Sequence, residues 1–170
     1  MPLRVRPFSL TLLLPLLAVA GCDTDSPGST LDELEGVYAI TELYFDPEAS
    51  GIQDADVAAR LDSARTYVEL IGSGRVLVRF RFTDESAGDL ADADYTATRT
   101  TARITARTEL DAEIFDRLLL PQSFTLSRVS DDELSGAFST TADLDAYDPE
   151  LYAGLTAVPG TLNIRLERED

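Results

Sequence analysis

The stretch RVLVRFRF, residues 75–82, alternates between two chemical faces over its whole length. Its even-numbered positions are valine or phenylalanine, and its odd-numbered positions are arginine except for Leu77. A period of two places successive side chains on opposite faces of a strand, so one face is apolar and the other cationic. The stretch therefore predicts a β-strand with one face on a core and the other in water.

Further strands are indicated on both sides of this stretch. Gly72-Ser73-Gly74 precedes it and predicts a hairpin with a strand over residues 66–71. The other strands are expected at 36–45, 123–129, 133–144 and 161–168, and the threonine-rich residues 94–101 and 102–109 form two short strands or one long bent strand. Short helices are expected over 54–64, with Asp54 as N-cap, and over 111–119, and residues 83–93 read as an acidic loop.

About eight strands in hairpin order, each with one apolar face, predict an all-β fold. We expect an up-and-down antiparallel barrel with one or two short helices, because closure removes the sheet edges. The alternative is an open two-sheet sandwich. Leu34-Glu35-Gly36-Val37-Tyr38 resembles the Gly-x-Trp element that opens the first strand of lipocalin-like barrels, with Tyr38 in place of tryptophan. The resemblance implies a lid, formed by a loop or helix, after the first strand.

The amino-terminal residues carry a different kind of signal. Val19-Ala20-Gly21-Cys22 resembles a bacterial lipobox, contains the only cysteine, and follows two arginines and an apolar run over 8–20. The resemblance implies a signal peptide over 1–22, cleaved before Cys22, and acylation of that cysteine. An uncleaved anchor or an ordinary secretory signal is the alternative. We expect a flexible tether over 23–30, a single barrel domain over 31–170, and attachment outside the cytoplasm, with the outer membrane favoured.

Composition excludes several classes of function. The chain has a net charge of −17, no histidine, no lysine, no tryptophan and one cysteine. Histidine-based triads, Cys–His pairs, zinc sites, Schiff bases and Walker-type phosphate loops all need a residue that is missing. Strong negative charge also disfavours nucleic acid. We therefore expect no enzyme, no catalytic residue and no cofactor. Acidic clusters such as Asp84/Glu85/Asp89 have calcium-type ligands but lack the EF-hand spacing, so no metal site is expected.

Two sets of residues are candidates for a binding site. The first is an inward apolar set, which lines a ligand-holding lumen or fills a packed core. Its members are Val76, Val78, Phe80, Phe82, Phe124, Leu126, Phe138, Leu162, Ile164 and Leu166. The second is a set of arginines on one strand face, which binds an anion or, as we favour, pairs with nearby acids on a solvated exterior. Its members are Arg75, Arg79, Arg81, Arg99, Arg103 and Arg107.

These observations predict a membrane-anchored lipocalin-like envelope protein that binds a small apolar or amphipathic ligand. The alternative is an envelope structural or protein-interaction module with a packed barrel and no small-molecule ligand. Its macromolecular partner is not indicated by the sequence.

Overall fold

The computed structural model describes residues 27–169. The expected acylation site Cys22, the expected signal peptide over 1–22 and the first part of the expected tether, 23–26, lie outside these residues. The strands are β1 (Gly36–Pro47), β2 (Ala55–Asp56), β3 (Tyr67–Ile71), β4 (Arg75–Phe80), β5 (Asp89–Ala97), β6 (Thr101–Ala106), β7 (Ser123–Arg128), β8 (Glu133–Ala142) and β9 (Val158–Arg168). The helices are α1 (Pro27–Leu34), α2 (Glu109–Arg117) and α3 (Leu144–Tyr147), with 3₁₀ turns at Ala58–Arg60 and Ser63–Arg65.

Eight of the strands form a closed antiparallel barrel. The order is β1-β3-β4-β5-β6-β7-β8-β9, and β9 returns to pair with β1 from Tyr38↔Arg168 to Pro47↔Gly160. The two-residue strand β2 adds to the far end of β1. The predicted all-β, up-and-down antiparallel barrel is therefore confirmed. An open sandwich is wrong, because the β1–β9 pairing leaves no free pair of edges among these strands.

The hairpin formed by β3 and β4 has the expected register. β3 and β4 pair from Tyr67↔Arg79 to Ile71↔Arg75 around the predicted three-residue turn. Val76, Val78 and Phe80 are at most 2% exposed, whereas Arg75 and Arg79 on the alternate positions are exposed on the outer face. The alternation in this stretch therefore reports the inner and outer faces of the barrel wall.

Helix α1 covers one end of the barrel, called here the closed end. The Tyr38 hydroxyl donates to the carbonyl of Leu34 over 2.9 Å, and Arg168 donates to the Tyr38 hydroxyl and to the carbonyl of Glu33, both over 2.8 Å. The Arg168 guanidinium lies 5.3 Å from the centre of the Tyr38 ring. Tyr38 thus connects the first strand, the last strand and α1.

Several predicted elements differ from those of the structure. Residues 27–30 of the expected tether belong to α1, and Thr30 is only 4% exposed. The expected helix over 54–64 is instead β2 and the two 3₁₀ turns. The expected acidic loop ends early, because β5 begins at Asp89. Helix α2 begins before the expected residue 111, because Thr108 and Asp111 form a capping box.

The segment over 54–65, called here the lid, follows the opposite rim of the barrel, the lid end. Its extended parts follow from contacts with the wall: Val57 donates to the carbonyl of Leu43 over 2.9 Å, and Leu61 forms an isolated bridge with Phe82. The Asp62 carboxylate then accepts from the amide of Ala64 and caps the second turn. These nonlocal bonds outweigh the helical spacing of the lid's apolar residues.

Candidate functional site

The inward apolar set lies inside the barrel, and its side chains contact one another. Nine of the ten are at most 6% exposed, and Phe138 is half-buried against the same core. The rings of Phe80 and Phe82 meet edge to face at 5.6 Å, and those of Phe124 and Phe138 stack at 5.6 Å. Phe115 of α2 packs on Phe124 at 6.0 Å. The space between these strands is therefore occupied by side chains around the aromatic residues.

Arg60 closes the lid end from within the lid. Its guanidinium lies 4.8 Å from the ring centre of Tyr147 and 5.4 Å from that of Phe82. It also pairs with Asp84 at 3.2 Å and Asp148 at 3.3 Å. Burial alone would lower the pKa of Arg60, but Tyr147 and the two carboxylates outweigh it and raise the pKa above its usual value. The arginine therefore stays charged while it covers apolar rings.

A second arginine also lies close to the Phe82 ring. The Arg117 guanidinium, at the end of α2, lies 5.4 Å from the Phe82 ring and 5.7 Å from the Phe80 ring. It pairs with Glu85 at 2.5 Å and with Asp89. Neither Arg60 nor Arg117 was among the residues predicted for a binding site. The only local signal was the acidic character of the loop over 83–89, which has these arginines as its partners.

The acidic loops do not assemble a metal site in the part of the chain that the structure describes. No group of three or more Asp, Glu, His or Cys side chains there is arranged to hold an ion. Nor is any helix of residues 27–169 both long and apolar enough to cross a bilayer.

The six candidate arginines are distributed over several sites instead of one. Arg75 donates two hydrogen bonds to Asp92, at 2.8 and 2.6 Å, and Arg107 reaches the same carboxylate at 3.5 Å. The bond from Arg75 lowers the pKa of Asp92. Arg103 of β6 donates to the hydroxyl of Ser123 of β7 at 3.1 Å.

Arg81 pairs with Asp62 of the lid, and its Nε is buried without an acceptor among the described residues. The Arg79 guanidinium has no ion-pair or hydrogen-bond partner within residues 27–169, and Arg99 lies in the turn between β5 and β6.

A groove of about 390 Å³ lies on the outside of the barrel beside Arg79. It is called here the outer-wall groove, and its lining includes Arg65, Tyr67, Arg79, Arg81 and Leu90. Tyr67 pairs with Arg79 across β3 and β4, and Arg79 pairs with Leu90 across β4 and β5, so the three form one row on the outer face. The sequence pattern identified two of the groove's arginines but missed Arg65, which precedes the strand.

Comparison with known proteins bears on the fold alone. No protein-family model and no curated protein matches this sequence. A solved structure described as "Structure of EF1p2_mFAP2b bound to DFHBI" is similar to 85% of this chain and 100% of its own length, with 13% identity and a TM-score of 0.39.

Proposed function

We propose that this protein is a lipid-anchored lipocalin-like module of the bacterial cell envelope that binds a small apolar or amphipathic ligand and catalyses no reaction. The lipobox-like sequence that ends at Cys22 supports the anchor. The missing histidine and lysine support a binding role, because general-base and nucleophile chemistry loses its usual residues. The apolar interior supports the class of ligand.

The anchor sets the orientation of the barrel. Only residues 23–26 separate Cys22 from α1, and four extended residues reach at most ~14 Å. Since α1 covers the closed end, that end faces the membrane and the lid end faces away from it. A ligand from the surrounding compartment therefore meets the lid first.

The observation that carries the ligand proposal is the way the lid end is closed. The lid joins the wall through the two-residue ladder of β2 and the isolated Leu61↔Phe82 bridge, and Arg60 covers the rings between them. Exposed cation–π contacts are worth about 0.5–1 kcal/mol. Backbone hydrogen bonds from Val57 to Leu43 and from Asp62 to Arg81 also hold the lid, and they lie outside the strand ladders of the barrel. In this proposal a ligand enters when these contacts and those of Arg60 open together.

Native mass spectrometry of the lipidated protein from its own host tests this function. We expect a small-molecule adduct that dissociates faster from R60Q, because that change loosens the lid, and at the native rate from R165Q. Arg165 is a suitable control because it pairs with Glu42 and Glu133 on another part of the wall. An adduct-free mass for a correctly folded, host-purified protein would contradict ligand binding.

The anchor is tested separately by the intact mass of a Cys22→Ala variant. We expect the acyl chains and membrane partitioning to be lost. Unchanged processing and partitioning would contradict lipidation and leave the barrel's function open.

A packed structural or protein-interaction module is the second candidate. The close contacts among Phe80, Phe82, Phe124 and Phe138 favour it, because a filled interior leaves no room for a ligand without rearrangement. The same adduct measurement separates the two candidates.

A further inference from the structure

The outer-wall groove concentrates positive charge on a protein that is otherwise strongly acidic. Arg65, Arg79 and Arg81 line it, against a single lining carboxylate, Asp89, which already pairs with Arg117. The whole chain has a net charge of −17, so a groove lined by three guanidinium groups has the opposite sign of charge. The field of this groove favours an anion.

Two of these arginines have hydrogen-bonding capacity that the protein leaves unused. The guanidinium of Arg79 has no ion-pair or hydrogen-bond partner within residues 27–169, whereas that of Arg75, four residues earlier on the same face, is held by Asp92. Arg65 is 63% exposed and only 4.0 Å from Asp62, a carboxylate that Arg81 already engages. Since guanidinium forks match phosphate oxygens in pairs, these groups are suited to a phosphate.

The groove also has an apolar part next to its cationic part. Leu90 is 47% exposed, one of four large hydrophobic side chains among the described residues with such exposure, and it lies beside Arg79 on the neighbouring strand. Tyr67 flanks Arg79 on the other side. A molecule that places its anionic group on Arg79 therefore places its body against Leu90 or the Tyr67 ring.

The glycine at the edge of the groove keeps it narrow. A Cβ at Gly88 would lie 2.8 Å from the carbonyl oxygen of Phe80 and 3.4 Å from the Cβ of Arg81. The β4–β5 loop therefore passes directly against the wall, and the groove is bounded by backbone. Its volume of about 390 Å³ is within the range of small-molecule sites.

From this arrangement we infer that the outer-wall groove binds a small phosphate monoester with an aromatic or short apolar body. Arg79 and Arg65 hold the phosphate oxygens, and Leu90 and Tyr67 contact the apolar body. This site lies on the outer face of the wall, apart from the interior described above, and of the lid it includes only Ala64 and Arg65. A soluble phosphate ester and the head group of a membrane lipid share the chemistry it recognises.

The test is ligand-observed ¹⁹F NMR with 4-fluorophenyl phosphate and the full chain in a maltoside detergent at low salt. We expect saturable binding. R79Q should weaken the affinity by about tenfold, because it removes one charge-assisted hydrogen bond to the phosphate. R75Q makes the same change of charge on the same strand and face, and we expect less than about a twofold effect, since Arg75 is already occupied by Asp92.

Substitution of the apolar part separates this site from a simple charge effect. We expect L90S to weaken 4-fluorophenyl phosphate several-fold while leaving the weaker affinity for inorganic phosphate unchanged. Competition with dihexanoyl phosphatidic acid then distinguishes the two sources. Tighter competition than by phenyl phosphate supports the site with a lipid head group as its ligand, and weaker competition supports the site with a soluble ester.

Two results would overturn the inference. One is equal weakening by R79Q and R75Q, which would mean that only net charge matters. The other is no saturable binding by a chain whose circular dichroism spectrum is that of a folded barrel. Both leave the proposed interior ligand untouched, because Arg79, Arg75 and Leu90 lie on the outer face of the wall and not in the interior.

Discussion

The phenol of Tyr38 gives a direct measure of how firmly the closed end is held. Tyr38→Phe keeps the ring, and with it the contact to the Arg168 guanidinium at 5.3 Å, but removes the hydroxyl. The carbonyl of Leu34 then loses its 2.9 Å donor, while Arg168 keeps its bond to the carbonyl of Glu33. A buried acceptor without a partner costs about 1–3 kcal/mol, so we expect a loss of about 2 kcal/mol in the free energy of unfolding.

Urea denaturation followed by far-UV circular dichroism, on residues 23–170, measures this loss. At this domain size about 2 kcal/mol corresponds to a decrease of roughly 8 °C in Tm. Tyr44→Phe is the matched control, because the Tyr44 hydroxyl bonds to Asp54 at the exposed lid end. If the two variants lose equal stability, or Tyr38→Phe loses none, the hydroxyl does not hold α1 to the barrel and the reasoning is wrong.

Three further predictions concern close packing, acid and salt. Gly160→Ala is expected to lower the free energy of unfolding by about 1–3 kcal/mol, because the new Cβ would lie 2.5 Å from both the carbonyl oxygen of Asp46 and the Phe45 ring. An unchanged urea midpoint would refute this. Because Arg75 lowers the pKa of Asp92, the stability from that pair is present above the ordinary carboxyl pKa and is lost as pH falls through the lowered one. Asp92→Asn should therefore flatten the stability–pH curve below about pH 4. The net charge of −17 makes the acidic groups repel one another, and salt screens this repulsion as the Debye length falls from ~30 Å at 0.01 M to ~3 Å at 1 M. Tm should therefore rise with salt over this range, and a flat profile would mean that the charge is already balanced locally.

The wall of the barrel was predictable where the strand residues differ strongly between faces. In residues 75–82, bulky apolar side chains alternate with arginines, and the hairpin turn is marked by two glycines. The start of β5 was missed for the opposite reason. Its inward residues Ala91 and Ala93 are small and fully buried, and its outward Asp92 is held by arginines. Alanine and aspartate have low strand propensity, so this strand is specified by its neighbours.

The lid and the arginines of the site depend on distant residues. Arg60 meets Tyr147 and Asp148, which lie more than eighty positions away in sequence, as the separations of 87 and 88 indicate. Arg117 meets Glu85 across a separation of 32. No local pattern encodes these pairs, and the groove's Arg65 precedes the strand whose alternation would have identified it. The barrel was therefore predictable from local sequence patterns, whereas the site depends on contacts between residues that are far apart in the sequence.

The β1–β9 pairing has a consequence for the order in which the protein folds. These strands join residues 36–47 to 158–168, so the barrel closes only after almost the whole chain is available. Bringing ends about 120 residues apart together costs on the order of 4 kcal/mol in chain entropy, before any constant term. The hairpins from β3 to β6 join neighbouring segments of the chain, whereas the β1–β9 closure is a nonlocal pairing of the kind that slows folding. A chain emerging amino-terminus first thus exposes the edge of β1 until its last eleven-residue strand arrives.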